Sequence, residues 1–402
     1  MITVRPVIHI SLKFIAMNAF GQTICLSMIV KNEAHVIQRC FDSVRPFIDY
    51  WIIVDTGSTD GTQDVIRAAM ADCPGRLVER PWVDFAFNRT EALKLARPHA
   101  DYTLIIDADD ELIVPEGFVL PRLSEAGYMF SILDGATEYF RIQMINNGFD
   151  WHYRGVVHEF LECSGNPGTP MLPVSMRRGD DGARHRDEMS ECRDLTTMEK
   201  ALSVETDPFM ISRYTFYLAR SYRDVGDLAK SLQFYLKRAD LGYWEEEVYL
   251  SLLNAALIME TLGRPEEEIS TVYDRAIFVC PARAEARHAA SRYCRITGNF
   301  AAGYRYAEAG VLLPMPREGL SLNPWVYAYG LRDELAFHAY HAGQFRVCLS
   351  VCLSILKQSE VPEEVRSRVC TLARQSLATM IDPVWGLQHS AYRSEFTPVW
   401  QG

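Results

Sequence analysis

The sequence predicts an α/β domain with a mostly parallel sheet, followed by an all-α domain of helical repeats. Three observations predict this fold class. Short apolar, β-prone runs alternate with amphipathic stretches from Thr23 to about Leu112, which is typical of a parallel sheet with helical crossovers. From about Met198 onward, apolar residues recur at helical spacing and β-branched runs disappear. Between the two halves lies a segment rich in Gly, Pro, Arg and Asp.

These changes of pattern set the expected domain boundaries. We expect an N-terminal extension at 1–22, the α/β domain at 23–162, a linker or loop at 163–197 and the helical-repeat domain at 198–402. A chain of 402 residues has room for two or three domains of ordinary size. No apolar run reaches the ~18–20 residues needed to span a bilayer, so no transmembrane segment is expected.

Each element of the α/β domain follows from a local pattern. Strands are predicted at ICLSMIV (24–30), YWIIVD (50–55), RLVE (76–79) and the start of YTLIIDADDEL (102–112). Helices are predicted in AHVIQRCFDSV (34–44), QDVIRAAMAD (63–72) and FNRTEALKLARPHA (87–100), the last of which ends at Pro98. Further strands are expected in TEYFRIQMINNG (137–148) and within WHYRGVVHEFLE (151–162). Ligands bind beyond the carboxyl ends of such strands, so the polar segments that follow them are expected to share one pocket.

Four glycines mark the helical repeats. Gly226, Gly263, Gly298 and Gly343 are spaced 37, 35 and 45 residues apart, and each lies in a polar turn between two helical stretches. This period is close to the 34 residues of tetratricopeptide repeats, so stacked helical hairpins are expected. The alternative is a generic helical bundle.

Charge and cysteine content narrow the classes of function. Lys plus Arg number 41 and Asp plus Glu 52, which gives a net charge of −11. Binding to nucleic acid needs a basic face, so a chain this acidic is a poor candidate for it. Residues 101–150 hold 10 acidic and 2 basic residues and thus carry −8 of this charge. Ten scattered cysteines without a CxxC motif are typical of reduced thiols, so a cytoplasmic protein is expected.

The carboxylate cluster DADD (107–110) is the most informative local feature. Asp107 and Asp109 are two residues apart, so on an extended segment they point to the same side. Two such carboxylates repel each other unless a cation lies near them, and oxygen ligands of this kind suit Mn²⁺ or Mg²⁺. A divalent metal here is expected to bridge to substrate phosphates. The alternative is a solvated acidic turn.

The segment DTGSTDGT (55–62) joins a strand end to a helix through a Gly-rich turn. Its backbone N–H groups can hold an anion, and Asp55 can accept a hydrogen bond from a ribose hydroxyl or a base N–H. The alternative is a turn whose Ser, Thr and Asp residues only cap the helix. A Walker phosphate loop and a GxGxxG fingerprint are both absent from the sequence, which argues against an ATPase or a nicotinamide dehydrogenase.

Four segments carry a family resemblance. In order and spacing, ICLSMIVKNE, WIIVDTGSTDGT, PWVDFAFNRTEAL and YTLIIDADDEL resemble the nucleotide-sugar-binding domain of family 2 glycosyltransferases, which has the GT-A fold. This resemblance covers roughly residues 23–162. One subgroup also combines a YRGVVHE-like block with tetratricopeptide-like repeats, which matches the C-terminal half. The resemblance implies a metal-dependent enzyme that transfers a sugar from a nucleoside-diphosphate sugar, expected to be a UDP-sugar, to an acceptor with inversion.

The resemblance also assigns roles to the matching positions. These are Asn32 and Glu33 in the nucleotide pocket, Asp55 on the nucleoside, Arg89 near the base or the diphosphate, Asp107 on the ribose and Asp109 on the metal. Three positions depart from the family's pattern. Thr56, Thr90 and Asp110 stand where an Asp, an Asn and a Glu are common.

The HE pair at 158–159 supplies the candidate catalytic base. An inverting transferase needs one general base to deprotonate the acceptor, and Glu159 fits this role. His158 is expected to complete the metal shell or to bind phosphate, with a structural histidine as the alternative. Neighbours on an extended strand point to opposite faces, so both enter one site only if the chain bends. Trp151 and Tyr153 offer flat faces for the sugar or the acceptor, although Trp151 is also consistent with a core aromatic.

Other readings stay open. Arg177, Arg178, Arg184 and Arg186 either close over a diphosphate or form a solvated loop. A sugar-nucleotide pyrophosphorylase shares the sheet type, but the Gly-rich basic loop expected near its N-terminus is missing from the sequence. The non-enzymatic alternative is a repeat scaffold with a decayed transferase domain. The intact DADD and HE motifs argue against it. The acceptor is expected to be a protein, a peptide or a glycan presented by the repeats, and nucleic acid is not an expected partner.

Overall fold

The computed structural model of the protein describes residues 20–381, apart from Ala136, Glu188, Arg317 and Glu318. The chain divides into two compact units, Met1–Val204 and Glu205–Gly402. Residues 1–19 of the expected N-terminal extension lie outside the described part.

The first unit is built on a mixed sheet. Its strands are β1 (Ile24–Val30), β2 (Tyr50–Asp55), β3 (Gly75–Glu79), β4 (Tyr102–Ile105), β5 (Glu111–Ile113), β6 (Gly127–Asp134), β7 (Thr137–Asn146), β8 (Trp151–Arg154), β9 (Phe160–Cys163) and β10 (Met171–Arg177). Eight of them form one sheet in the order β3-β2-β1-β4-β7-β6-β10-β5, and β8 pairs with β9 in a separate hairpin. Its helices are α1 (Ile37–Val44), α2 (Thr62–Ala69), α3 (Phe85–Ala96) and α4 (Ser190–Val204).

The two halves of the sheet differ in strand direction. Strands β3, β2, β1 and β4 run parallel, which confirms the predicted parallel half. Strand β7 pairs antiparallel with both β4 and β6. A short turn after Asp134 connects β6 to β7 directly, so this pair needs no helical crossover. Strands β1 and β2 are buried on both faces, which explains their continuous apolar sequences.

The segment predicted as a linker, 163–197, contributes to the first unit. Strand β10 lies between β6 and β5, parallel to β6 and antiparallel to β5. Its alternate residues Leu172, Val174 and Met176 are buried, which is the pattern of a strand with one face on the core. Helix α4 completes the unit, so the division of the chain falls after Val204 rather than within 163–197.

The second unit consists of helical hairpins. Its helices are α5 (Pro208–Asp224), α6 (Leu228–Leu241), α7 (Glu245–Thr261), α8 (Glu266–Val279), α9 (Glu285–Thr297), α10 (Phe300–Gly310), α11 (Leu331–His341), α12 (Phe345–Leu356) and α13 (Glu363–Ile381). The four repeat glycines lie in the hairpin turns, with φ angles of 85° at Gly226, 63° at Gly263, 80° at Gly298 and 76° at Gly343. Left-handed backbone favours glycine, so the positions of the hairpin turns explain the positions of these residues.

Small and aromatic side chains fill the core of the second unit. Tyr235, Tyr249 and Tyr273 are fully buried among alanines, which lets neighbouring helices approach closely. Arg238 is also fully buried and pairs with Glu247 at 2.9 Å, so this charge is compensated between adjacent helices. All ten cysteines are free thiols. Among the described helices, none is long and apolar enough to cross a membrane.

Candidate active site

Three neighbouring strands deliver predicted site residues to one edge of the sheet. Asp55 is the last residue of β2, and it lies beside Val30, the last residue of β1. Asn32 and Asp107 follow β1 and β4 by two residues each. Because β2, β1 and β4 are parallel, their carboxyl ends meet at the same edge. The structure therefore brings together the three polar segments that the sequence placed at strand ends.

Side chains from both strand ends fix the turn after β2. Oδ1 of Asp55 accepts hydrogen bonds from the N–H groups of Gly57 (2.8 Å) and Ser58 (2.9 Å). Oδ1 of Asn32 accepts one from the N–H of Thr59 at 2.8 Å. Asp55 is only 1% exposed, and its Oδ2 has no hydrogen-bond partner among the described residues. A buried oxygen without a partner is costly, so this atom is an acceptor available to a ligand.

Arg89 connects two of the predicted carboxylates. Its Nη2 donates to Oδ1 of Asp107 at 2.7 Å, and its Nε lies 2.8 Å from Oε1 of Glu159. The second contact is an ion pair rather than an aligned hydrogen bond. Only 13% of the Arg89 side chain is exposed, so the guanidinium is held between the two acids with little access to water.

The DADD carboxylates differ in their protonation equilibria. Burial by itself would raise the pKa of Asp107, but the positive charges of Arg89 and Arg141 outweigh burial and hold that pKa below its ordinary value. Burial and then the charge of Asp107 raise the pKa of Asp109. The same two causes raise the pKa of Asp110 to about 7. Asp107 is thus stabilised as an anion, whereas the two following carboxyls carry repulsion that a cation would relieve.

Glu33 joins this acidic cluster from the end of β1. Burial raises its pKa to about 7, and the charges of Asp109 and Asp107 add to the effect. Its two carboxylate oxygens accept from the backbone N–H of Ala183 at 3.2 Å each. The N–H of Glu33 donates to Thr62 Oγ1 at 2.8 Å, which ties the residue to the start of α2.

Residues 178–187, which we call the cover loop, lie over Asp109. Arg39 of α1 donates to the backbone oxygen of Asp109 at 2.8 Å and binds both carboxylate oxygens of Asp181. A Cβ at Gly182 would lie 2.6 Å from Oδ2 of Asp109, and one at Gly179 would collide with the Asp109 backbone. Sequence reasoning did not find Arg39 as part of the site, but it named Arg178, Arg184 and Arg186 of the cover loop as candidates to close over a diphosphate. The paired glycines of GDDG permit the close approach of this loop to Asp109.

The donor set fits a hard divalent cation at Asp109. The nearby ligand atoms are carboxylate oxygens, which Mn²⁺ and Mg²⁺ accept; burial is the main cause of the raised pKa of Asp109, and the negative charge of Asp107 adds to it. Among the described residues, no three His, Cys, Asp or Glu side chains are grouped so as to hold a metal ion. A cation bound at Asp109 would therefore complete its shell with phosphate oxygens or water.

The β8–β9 hairpin positions the remaining predicted residues. His158 has a φ of 54°, which provides the bend that the HE pair requires, and it is exposed in the turn. Burial raises the pKa of Tyr153 to about 12, and its ring centroid lies 5.6 Å from the Arg89 guanidinium carbon. Trp151 is buried in a core cluster, and its Nε1 donates to the Ala126 oxygen at 3.0 Å. Trp151 therefore has no open face for a sugar, and the core alternative describes it.

Three of the four arginines that the sequence offered as candidates to close over a diphosphate lie in different environments. Arg178 pairs with Asp134 at 2.8 Å, and its positive charge acts on Asp107 and Asp110. Arg177 lies 3.6 Å from Glu111. Arg184 lies over the ring of Phe85, at 4.6 Å from the centroid. Positive charge is thus present around the acidic cluster.

Comparison with known proteins identifies the sequence segment that builds this site. Residues 25–116 match the family described as Glycosyl transferase family 2. This match runs from β1 to just beyond β5, and it contains the predicted donor-site residues from Asn32 to Asp109. Glu159 and the cover loop lie outside it.

Named relatives each match a fifth to a quarter of the chain. A TPR repeat-containing protein of Synechococcus elongatus is 38% identical over 92 residues, which are 23% of this chain and 21% of that protein. An uncharacterized glycosyltransferase of Rickettsia bellii is 35% identical over 85 residues, or 21% of this chain and 27% of that one. The solved glucosyl-3-phosphoglycerate synthase of M. tuberculosis is 29% identical, with coverage of 23% and 35% and a TM-score of 0.18.

The chain thus covers about a fifth to a quarter of the curated relatives' length. The matched residues coincide with the strands and turns that form the acidic site, and the helices from α5 onward form the predicted hairpins. The chain therefore carries a family 2 glycosyltransferase domain at residues 25–116 and tetratricopeptide-like helical repeats after it.

Proposed function

We propose that this protein is a metal-dependent glycosyltransferase. It transfers a sugar from a nucleoside-diphosphate sugar, with a UDP-sugar as the expected donor, to an acceptor with inversion at the anomeric carbon. The observation that carries the proposal is the arrangement at the carboxyl edge of the sheet, where Arg89 bridges Asp107 and Glu159 beside the buried Asp55.

The nucleoside is bound between the ends of β2 and β4. Oδ2 of Asp55 accepts a hydrogen bond from a base N–H, which satisfies the one oxygen of this carboxylate that lacks a partner among the described residues. Asn32 acts indirectly, because its side chain holds the turn that orients Asp55. Asp107, kept ionised by Arg89, accepts hydrogen bonds from the ribose hydroxyls.

The diphosphate is held near Asp109. Asp109 would hold the divalent cation, and Glu33 lies close enough to Asp109 for their charges to interact. When bound, Mn²⁺ or Mg²⁺ supplies Lewis-acid stabilisation of the leaving diphosphate. Arg89 and Arg178 add fixed positive charge, so this chain's own residues favour the same negative leaving group.

Glu159 takes the proton from the acceptor. Its carboxylate lies 2.8 Å from Nε of Arg89, an ion pair that holds the proposed base in place at the edge of the sheet. The acceptor oxygen attacks the anomeric carbon in line as the bond to the diphosphate breaks, and the acceptor proton moves to Glu159. One displacement inverts the anomeric centre. His158 helps to bind the diphosphate. The helical repeats present the acceptor, which is a protein, a peptide or a glycan.

A nucleotide-release assay tests the proposal. Purified full-length protein is incubated with Mn²⁺ and a panel of UDP-sugars, and released UDP is measured for the wild type, Asp109→Ala and Glu159→Gln. We expect release with at least one sugar and a loss of about 100-fold or more in each variant. Asp64→Ala changes an exposed carboxylate on α2 and serves as the matched control. Wild-type turnover in Asp109→Ala would refute the metal role.

A further inference from the structure

An exposed aromatic cluster immediately precedes Arg89 in the chain. Trp82 is 44% exposed, and it meets Phe85 edge to face with ring centroids 4.7 Å apart. Val83 and Phe87 are also exposed. Single exposed apolar residues are ordinary, but a contiguous group beside a reaction centre indicates a binding surface. Nothing in the proposed donor site uses these side chains.

The loop that carries Trp82 is fixed to α3 by a buried amide. Asn88 is fully buried; its Nδ2 donates to the Pro81 oxygen at 3.1 Å, and its Oδ1 accepts from the Val83 N–H at 2.9 Å. Asp84 caps α3 by accepting from the Phe87 N–H at 2.7 Å. The backbone is therefore held on both sides of Trp82, so the exposed position of its ring is specified by the fold.

A charged pair borders the aromatic cluster. The guanidinium carbon of Arg184 lies 4.6 Å from the Phe85 ring centroid, and Arg184 forms an ion pair with Asp194 of α4. Burial raises the pKa of Asp194, and the negative charge of Glu159 adds to the increase. Asp194 thus lies within the electrostatic reach of the proposed base, so the charged pair connects the aromatic cluster to the reaction centre.

Helix geometry supports this connection. Phe85 and Arg89 are four residues apart on α3, so they lie on the same face about one turn from each other. Arg89 contacts Glu159 and Asp107. A molecule resting on Trp82 and Phe85 would therefore extend toward the group that must deprotonate it.

We propose that Trp82, Phe85 and Arg184 form an acceptor subsite and that the acceptor presented there is a carbohydrate ring. This inference rests on the proposed function for the position of the reaction centre. A pyranose has an apolar C–H face and a rim of hydroxyls. The exposed ring of Trp82 packs against the apolar C–H face of the sugar. Arg184 and Asp194 offer a donor and an acceptor to its hydroxyls.

Saturation-transfer difference NMR on the full-length protein tests the subsite. The probes are the methyl glycosides of glucose, galactose, mannose and N-acetylglucosamine, each titrated with UDP and Mn²⁺ present. We expect saturation of ring C–H protons in at least one glycoside. Trp82→Ala should weaken that binding about tenfold, or about 1.4 kcal/mol, while Trp82→Phe should retain most of it. Trp244→Ala removes an exposed tryptophan of the second unit and is the matched control.

The outcomes separate this inference from the proposed function. If UDP with Mn²⁺ binds but no glycoside is saturated, or if Trp82→Ala binds the glycoside as well as the wild type, the carbohydrate subsite is refuted and the donor site stands. Saturation of an added apolar hexapeptide at Trp82 in place of every glycoside would also refute it, in favour of a polypeptide acceptor. If UDP fails to bind to the wild type, the proposed function fails, whereas Trp82-dependent glycoside binding would still support the subsite.

Discussion

The Nε atom of Arg89 lies 2.8 Å from the carboxylate of Glu159, and the same guanidinium binds Asp107 at 2.7 Å. One buried cation thus joins the acid at the end of β4 to the acid in the β8–β9 turn. The two carboxylates lie in different segments of the chain, and Arg89 of α3 contacts both. The ion pairs therefore determine how the proposed base stands relative to the proposed donor site.

Replacing Arg89 should destabilise the first unit strongly. Arg89→Met leaves two partly buried carboxylates without their shared partner, so we expect a loss of about 3 kcal/mol in the free energy of unfolding. Urea unfolding followed by near-UV circular dichroism measures it. Arg97→Met is the matched control, because its pair with Asp150 is exposed and should change the same quantity by less than about 1 kcal/mol. Equal losses in the two variants would contradict the structural role of Arg89.

Asp55→Asn should weaken nucleotide binding without unfolding the turn. The variant keeps one oxygen to accept from Gly57 and Ser58, but it replaces the other with an amide that donates. A base N–H would then face a donor, so we expect the affinity for UDP to fall at least about tenfold. Isothermal titration calorimetry measures the affinity, and an unchanged melting temperature shows that the turn is intact. Wild-type affinity in this variant would mean that Asp55 does not contact the nucleotide.

Gly182→Ala should detach the cover loop from Asp109. The added Cβ would lie 2.6 Å from Oδ2 of Asp109, so either the loop or the carboxylate must move. In the wild type the amide of Ala183 donates to Glu33. We expect faster hydrogen exchange at this amide in the variant. Gly168→Ala is the control in the same segment, since its Cβ meets no described atom within 4 Å. Unchanged protection of Ala183 in Gly182→Ala would show that the loop is not held by this close approach.

The stability of the metal-free protein should depend on the ionisation of Glu33. Its pKa is about 7 in the folded chain against an ordinary value of 4.5, so between these pH values the folded state binds the proton more tightly than the unfolded state. The Glu33 contribution to stability is therefore present below pH 4.5 and is lost as pH rises to about 7. Asp110, with a pKa of about 7, contributes a second slope of the same sign.

Glu33→Gln isolates this contribution. Urea midpoints measured in a chelator at several pH values should show that the variant gains stability relative to the wild type as pH rises from 4.5 to 7. A constant difference between the two proteins across this range would contradict the raised pKa of Glu33. Addition of Mn²⁺ should reduce the difference, because a cation offsets the same repulsion.

The sequence predicted those parts of the fold whose signals are local. Strand β2 has a continuous apolar sequence because both of its faces are buried. Gly226 marks a hairpin turn because its φ is positive. Strand β10 escaped prediction, since Pro173 and the polar residues around it are typical of a loop. Its assignment depends on pairing with β6 and β5, which a local pattern does not encode.

The candidate site divides in the same way. Asp55, Asp107 and Asp109 were predicted because each stands beside a strand end, where topology alone brings them together. Arg39 lies on a helix that reads as an ordinary amphipathic segment, and only tertiary packing brings it to Asp109. Trp151 shows the reverse case. Its sequence context suits an exposed aromatic as well as a core one, and the packing of β8 against α3, through Tyr153 and Thr90, decides in favour of the core.

Calorimetric titration of UDP with and without Mn²⁺ tests the central claim most directly. The wild type and the control Asp64→Asn should bind UDP in the presence of Mn²⁺ and lose at least about tenfold in affinity when EDTA replaces the metal. Asp109→Asn should bind UDP equally weakly under both conditions. If Asp109→Asn retains the full Mn²⁺-dependent affinity, or if the wild type binds no UDP with Mn²⁺, the assignment of this acidic edge as a metal-dependent nucleotide-sugar site is contradicted.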